Sequence, residues 1–274
     1  MNSELLNKYL TIVEKASLIA GDYLSANREN ISVESQYGKD IKLSVDRAAE
    51  SLILDALREE TDFAILSEEE GQSRGNSHDR ESDKLRWIVD PLDGSLNFFR
   101  GIPICCVSIA LWEENKPILG AIYDFNRQEL FTGIAGAGAW LNGHSIEPSK
   151  IITENEAVLF TGFPAKADYS SQALSNYVFQ VRVFKKVRLL GSAALSLAYV
   201  AAGRGDAYFE RDIMLWDVAA GLAILSGAGG NYYMRKTHRG NAYEVYATNG
   251  SLKTILKDGR PTVSQEQMTT TGGG

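Results

Sequence analysis

Ile88-Val89-Asp90-Pro91-Leu92-Asp93-Gly94-Ser95-Leu96-Asn97-Phe98 joins an apolar run to two closely spaced carboxylates and a glycine. The run predicts a strand ending at Val89 that delivers Asp90 at its tip. Pro91 then forces a turn, Asp93 returns to the same side, and Gly94-Ser95 open a short helix. Two carboxylates and the Leu92 carbonyl thereby converge where a hard cation, which takes oxygen ligands, can be held. The backbone N–H groups of Gly94 and Ser95 add an anion pocket beside it. Asp-Pro and Asp-Gly are each ordinary turn formers, so it is the complete string behind an apolar strand that points to metal and phosphate chemistry.

On both sides of this string, β-rich runs at 63–66, 87–89, 105–112, 118–123 and 129–135, with Asn142-Gly143 as a tight turn, predict an antiparallel sheet. Before it, Leu6, Leu10, Val13, Ala16 and Ala20 recur at helical spacing. A second helical pattern runs from Asp46 through Ala49, Leu52, Ile53, Ala56 and Leu57. After Ile151 strands and helices alternate: strands at 157–161, 184–189 and 207–209, helices from about Ser170, over 192–202 and over 216–226. The chain thus divides into an α+β half, residues 1–150, with most of the candidate metal ligands, and an α/β half, 151–258, closing the site. Residues 259–274 hold almost no apolar material and are expected to form a disordered tail.

The whole-chain numbers narrow the function. In 274 residues, 44% are apolar and 23% charged, ordinary for a globular protein. The formal charge of −7 gives no electrostatic footprint for nucleic acid or an anionic membrane. No long apolar segment predicts a membrane span and the start lacks a secretory pattern, so a cytoplasmic protein is expected. Cys105 and Cys106, adjacent in an apolar run, read as buried strand residues rather than a disulfide or metal knuckle. His78, His144 and His238 read as surface residues, and no Gly-x-Ser-x-Gly elbow supports a serine hydrolase. The glycine string Gly133-Ile134-Ala135-Gly136-Ala137-Gly138 runs into Trp140-Leu141-Asn142-Gly143, which predicts a hairpin rather than a nucleotide-binding helix.

Two more acidic groups belong with the central string: Glu68-Glu69-Glu70 after a strand, and Asp217 in Trp216-Asp217-Val218-Ala219-Ala220-Gly221 at a helix start. Taken in order with Asp90-Pro91-Leu92-Asp93-Gly94-Ser95, these strings resemble the inositol monophosphatase family of magnesium-dependent, lithium-sensitive phosphatases. Gly136-Ala137-Gly138-Ala139, Leu141-Asn142-Gly143 and Gly191-Ser192-Ala193-Ala194 extend the resemblance over about residues 5–256. It implies a layered αβαβα sandwich, often dimeric, with Mg²⁺ held by Glu68, Asp90, the Leu92 carbonyl, Asp93 and Asp217. It also implies that Asp46 works with the Ser95 hydroxyl, the two hydrogen-bonded, to orient or deprotonate the attacking water, with Glu68 helping to frame the ion that activates it. Gly94, Ser95, Gly191, Ser192, Ala193, Glu210 and Arg188 are the implied substrate contacts.

The sequence departs from the family at Gly227, in Gly227-Ala228-Gly229-Gly230 where Glu-Ala-Gly-Gly is usual. An Asp common a few residues later is absent from Tyr232-Tyr233-Met234-Arg235. The implied activity is hydrolysis of a small phosphorylated polyol or sugar, inositol monophosphate first. Fructose 1,6-bisphosphate, histidinol phosphate and 3′-phosphoadenosine 5′-phosphate are the alternative substrates, and a non-catalytic regulatory partner on the same fold is the alternative of another class.

Overall fold

The structure is a computed structural model that describes residues 1–29, 31–37, 40–73, 84–163, 169–238, 242–252, 256–257 and 260–261. Helix α1 (Ser3–Ala26) is capped by the Asn2 side chain and buries Tyr9, Val13, Ala16, Ala20 and Leu24 along one face. A hairpin of β1 (Val33–Tyr37) and β2 (Asp40–Leu43) leads into α2 (Ser44–Glu60). Next come β3 (Ala64–Ser67), β4 (Gly71–Ser73), β5 (Leu85–Asp93), the short helix α3 (Ser95–Phe99), β6 (Cys106–Glu113) and β7 (Lys116–Asp124). Strands β8 (Glu129–Ile134), β9 (Gly138–Leu141) and β10 (His144–Ser145) complete an eight-stranded sheet of order β10-β9-β8-β7-β6-β5-β3-β4.

The second half contributes β11 (Val158–Thr161), α4 (Ser171–Val183), β12 (Lys186–Leu189), α5 (Ala193–Ala201), β13 (Ala207–Met214), α6 (Leu215–Ala228), β14 (Asn231–Lys236) and β15 (Ala242–Thr248). Its five strands form a sheet of order β12-β11-β13-β15-β14, and β16 (Leu256–Lys257) pairs separately with β17 (Arg260–Pro261). Apart from Arg260 and Pro261, the expected disordered tail lies outside the described residues.

The layers follow from which faces are apolar. Along β5 and β6, Trp87, Val89, Val107, Ile109 and Leu111 pack under α1 and α2. The alternate residues Ile88, Ala110 and Trp112 pack against α5 and α6. Helix α6 lies between the two sheets and is apolar all round, as a helix covered on both sides must be. Helix α4 contacts β12 and completes an αβαβα stack, as expected. Because helices cover both faces of the large sheet, β6 reads as a continuous apolar run rather than an alternating one. Cys105 and Cys106 are both buried and free, Cys106 opening β6 and Cys105 just ahead of it. Among the described residues no helix is long and apolar enough to cross a membrane.

Three expectations need correction. The large sheet is not purely antiparallel, since β3 runs parallel to β5. Strand β5 does not end at Val89 but continues to Asp93 through a bulge between Asp90 and Asp93. Strand β13 runs on past Phe209 to Met214, with its own bulge between Arg211 and Ile213. The β1–β2 hairpin and strands β14 and β15 are additions; their polar, Tyr-rich segments lack a clean period.

Candidate active site

The parallel pairing of β3 and β5 brings the first two acidic groups together. Ser67 is in register with Val89, and the Glu68 N–H donates to the Val89 carbonyl at 3.2 Å. Where β3 ends β5 runs on, so Glu68 lies beside Asp90, with which it shares a hydrogen bond. The turn after β3 is fixed from below. Glu50, buried on α2, accepts from the N–H groups of Glu69 at 3.0 Å and Glu70 at 2.8 Å.

The bulge in β5 aims Asp90 and Asp93 inward. Asp90 Oδ1 accepts from the Leu92 N–H at 3.0 Å, closing the turn on itself. Gly94 follows with φ +90°, and a Cβ there would lie 2.9 Å from the Ile104 carbonyl oxygen, so neither the conformation nor the space admits another residue. Asp93 Oδ2 is held by the second half of the chain, accepting from Ser192 Oγ and, at 2.8 Å, from the Ala194 N–H. Asn97 ties the same junction, its amide donating to the carbonyls of Ile104 and Leu190, each at 2.8 Å. Asp217 arrives at the third position of α6, where Oδ2 accepts from the Met214 N–H at 3.1 Å.

One carboxylate oxygen each from Asp90, Asp93 and Asp217 lie within 4.8 Å of one another. Burial pushes the Asp93 carboxyl up to about 6 although its hydrogen bonds oppose the shift. Glu68 is pushed to about 8 by burial and by the neighbouring Glu69 charge. Asp90 and Asp217 are also raised well above the usual carboxylate range by burial, with the charges of Glu68 and Asp93 adding to the shift of each. Clustered buried acids that resist ionisation want a cation, and an all-oxygen donor set suits a hard divalent one.

These groups form the floor of a cavity of about 470 Å³, also lined by Leu92, Gly94, Ser95, Gly191, Ser192, Ala193 and Glu210. Glu210 is buried within β13, and burial pushes its carboxyl to about 8. The expected Ser95–Asp46 hydrogen bond is not made: Ser95 Oγ donates to the Leu92 carbonyl at 2.9 Å. Asp46 instead closes the start of α2, Oδ2 accepting from the Leu43 N–H at 2.8 Å, and its buried Oδ1 has no hydrogen-bond partner. Arg188 is displaced too. It sits exposed on the edge strand β12, bonds the Val187 carbonyl and does not line the cavity.

Sequence reasoning missed Lys42, Phe163 and Asp212, all of which line the cavity. Lys42 is a basic residue among the carboxylates, and Nζ contacts both Glu69 oxygens at 2.9 Å. No motif marks these three positions; only the fold gathers them. The departures from the family pattern lie elsewhere. A Cβ on Gly227 would meet the Gly138 carbonyl oxygen at 2.3 Å, so at this close approach of α6 to the β8–β9 hairpin only glycine fits. Arg235 pairs with Glu244 across β14 and β15.

The sequence and the fold match known proteins over most of the chain. The model of the inositol monophosphatase family matches residues 1–270, and the chain belongs to that family. A curated relative, Nus factor SuhB of Salmonella typhimurium strain LT2, is 36% identical over 268 residues, covering 92% of this chain and 98% of the relative. Among solved structures, inositol monophosphatase from Anabaena is 34% identical with a TM-score of 0.74, covering 90% of this chain and 92% of its own. Extragenic suppressor protein suhB from Bartonella henselae is 31% identical with a TM-score of 0.80, covering 89% and 95%.

Proposed function

We propose that this chain is a Mg²⁺-dependent phosphomonoesterase acting on a small phosphorylated polyol or sugar, inositol monophosphate first among them. The observation that carries the reading is the approach of Asp90, Asp93 and Asp217 within 4.8 Å on the floor of a substrate-sized cavity. These three would hold the ion, with Glu68 and the Leu92 carbonyl beside them. When bound, Mg²⁺ supplies charge neutralisation for the phosphate oxygens and lowers the pKa of water.

The chain's own residues do the rest. The Gly94 and Ser95 backbone orients the phosphate, and Gly191, Ser192 and Ala193 shape the opposite wall. Glu210 accepts from substrate hydroxyls. Asp46, with one buried oxygen left without a partner, takes the proton that Ser95 passes on, which requires Ser95 Oγ to leave the Leu92 carbonyl. The water oxygen bonds to phosphorus as the P–O bond to the polyol breaks; the leaving oxygen takes a proton from solvent, Asp46 later returns its own to solvent, and one water has become part of the phosphate. The proposed assembly is a cytoplasmic homodimer.

A second reading, a partner-binding protein without turnover, is favoured by the name Nus factor that curated relatives carry. Phosphate release in Mg²⁺ from inositol monophosphate, fructose 1,6-bisphosphate, histidinol phosphate and 3′-phosphoadenosine 5′-phosphate separates the two. Release is expected, fastest from inositol monophosphate; silence on all four substrates would favour the second reading.

A further inference from the structure

Asp212 is the residue at which β13 breaks step with its neighbour. Arg211 pairs with Glu244 and Ile213 with Tyr243, so Asp212 is the extra residue of a bulge, with φ +62°. An L-residue there is uncommon, and Asp is one of the few types that tolerate it. A bulge of this kind re-aims a side chain, and here it sets Asp212 on the cavity wall together with Glu210 and Ile213. Its carboxylate has no hydrogen bond or ion pair among the described residues, although Arg211 precedes it in sequence. A strained, unpartnered acid facing a ligand cavity has no structural task that a smaller neutral residue would not do better.

The charges around the cavity give it one. The floor carries Glu68, Asp90, Asp93 and Asp217; the β13 wall carries Glu210 and Asp212. Lys42, the basic lining residue, is engaged with Glu69. A substrate phosphate placed on the floor leaves the remainder of the molecule against the β13 wall, where an uncharged hydroxyl meets two hydrogen-bond acceptors. A second anionic group meets the Asp212 carboxylate instead, while Glu210, whose carboxyl burial pushes up to about 8, adds little charge of its own.

We propose that Asp212 is a specificity-determining residue that accepts hydrogen bonds from a neutral polyol and rejects a substrate bearing a second phosphate or carboxylate. This rests on the phosphomonoesterase reading and adds to it the class of substrate that the site refuses.

The test is the ratio of kcat/KM for fructose 1,6-bisphosphate to that for inositol monophosphate, in wild type, Asp212→Asn and Asp212→Gly with Mg²⁺. Asn keeps the shape and Gly suits the positive φ, so a shared effect reports charge rather than strain. Both should raise the ratio about tenfold, mainly through KM of the bisphosphate, in keeping with a single like charge a few ångströms away in a partly wet site. Added salt should raise the wild-type ratio but leave that of Asp212→Asn nearly flat. An unmoved ratio in both variants, or a salt response identical to wild type, overturns the role of Asp212. Wild-type hydrolysis of 4-nitrophenyl phosphate, run alongside, keeps that failure separate: if it persists the phosphatase reading stands without Asp212, and if it is absent both fall together.

Discussion

Ser192, the first residue before α5, donates its hydroxyl to Asp93 at the end of β5, so a helix cap in one half of the chain orients a carboxylate in the other. The same hydroxyl accepts from the Leu195 N–H at 3.2 Å. Ser192→Ala therefore removes a cap and a carboxylate partner at once. Loss of the cap should cost about 1 kcal/mol in denaturant unfolding. Loss of the partner should weaken Mg²⁺ binding by about 10- to 100-fold in a calorimetric titration. Unchanged Mg²⁺ affinity would mean that the remaining donors, the Ala194 N–H and the Cys106 thiol, suffice to hold Asp93.

The buried acids set a pH dependence of stability. Asp46, Glu68, Asp93 and Glu210 have ordinary values of 3.8 or 4.5, and in the folded chain they stand at about 7, about 8, about 6 and about 8. The folded state binds their protons more tightly than the unfolded state does. Their contribution is complete below about pH 4 and drains away as pH rises through 6 to 8. The melting temperature of the metal-free protein should fall between about pH 4 and about pH 8 and level off above, and Mg²⁺ should restore it most at the alkaline end. A melting temperature that rises with pH in chelator would contradict the burial of these groups as acids.

The proposed mechanism gives Ser95 and Asp93 different parts, proton handling for the one and metal binding for the other. Ser95→Ala keeps the backbone N–H proposed to bind phosphate and removes only the hydroxyl that rests on the Leu92 carbonyl. A loss of about 10²- to 10⁴-fold in kcat is expected, the range of a proton-handling group. Mg²⁺ affinity should fall much less than in Asp93→Ala. Parallel collapse of metal binding in both variants would make Ser95 a structural residue.

The sequence makes the carboxylate string legible because its chemistry is local: Asp90, Asp93 and Gly94 lie within five residues, and turn formation needs no knowledge of the rest. The amphipathic period of α1 and the alternation through β13 to α6 are visible for the same reason. What stays hidden is what depends on pairing. Nothing in residues 64–67 says that β3 runs parallel to β5, yet that direction is what sets Glu68 beside Asp90. Bulges are equally silent, since one extra residue changes no composition. That is why strand ends at Val89 and Phe209 are read too early and Asp212 goes unnoticed. The family resemblance supplies Glu210 and Asp217. It also supplies Arg188, which the edge position of β12 leaves outside the cavity.

Glu210 lies at the boundary between site and core. It is buried beside Tyr208 and feels the charge of Asp93. If it accepts from polyol hydroxyls, Glu210→Ala should lower kcat/KM for inositol monophosphate by about 10- to 100-fold while 4-nitrophenyl phosphate, which has no such hydroxyls, loses much less. Equal losses on both substrates would place Glu210 in support of the metal ligands instead.

In the proposed function Asp90, Asp93 and Asp217 act as one metal site. The direct measurement is phosphate release from inositol monophosphate by protein stripped with chelator and then titrated with Mg²⁺, for wild type and Asp90→Asn side by side. Wild type should be inactive when stripped and recover saturably with Mg²⁺. Asp90→Asn should stay several orders of magnitude slower at every Mg²⁺ concentration, because it removes a ligand charge from the cluster. Full turnover in excess chelator, or an Asp90→Asn protein as fast as wild type, would contradict it.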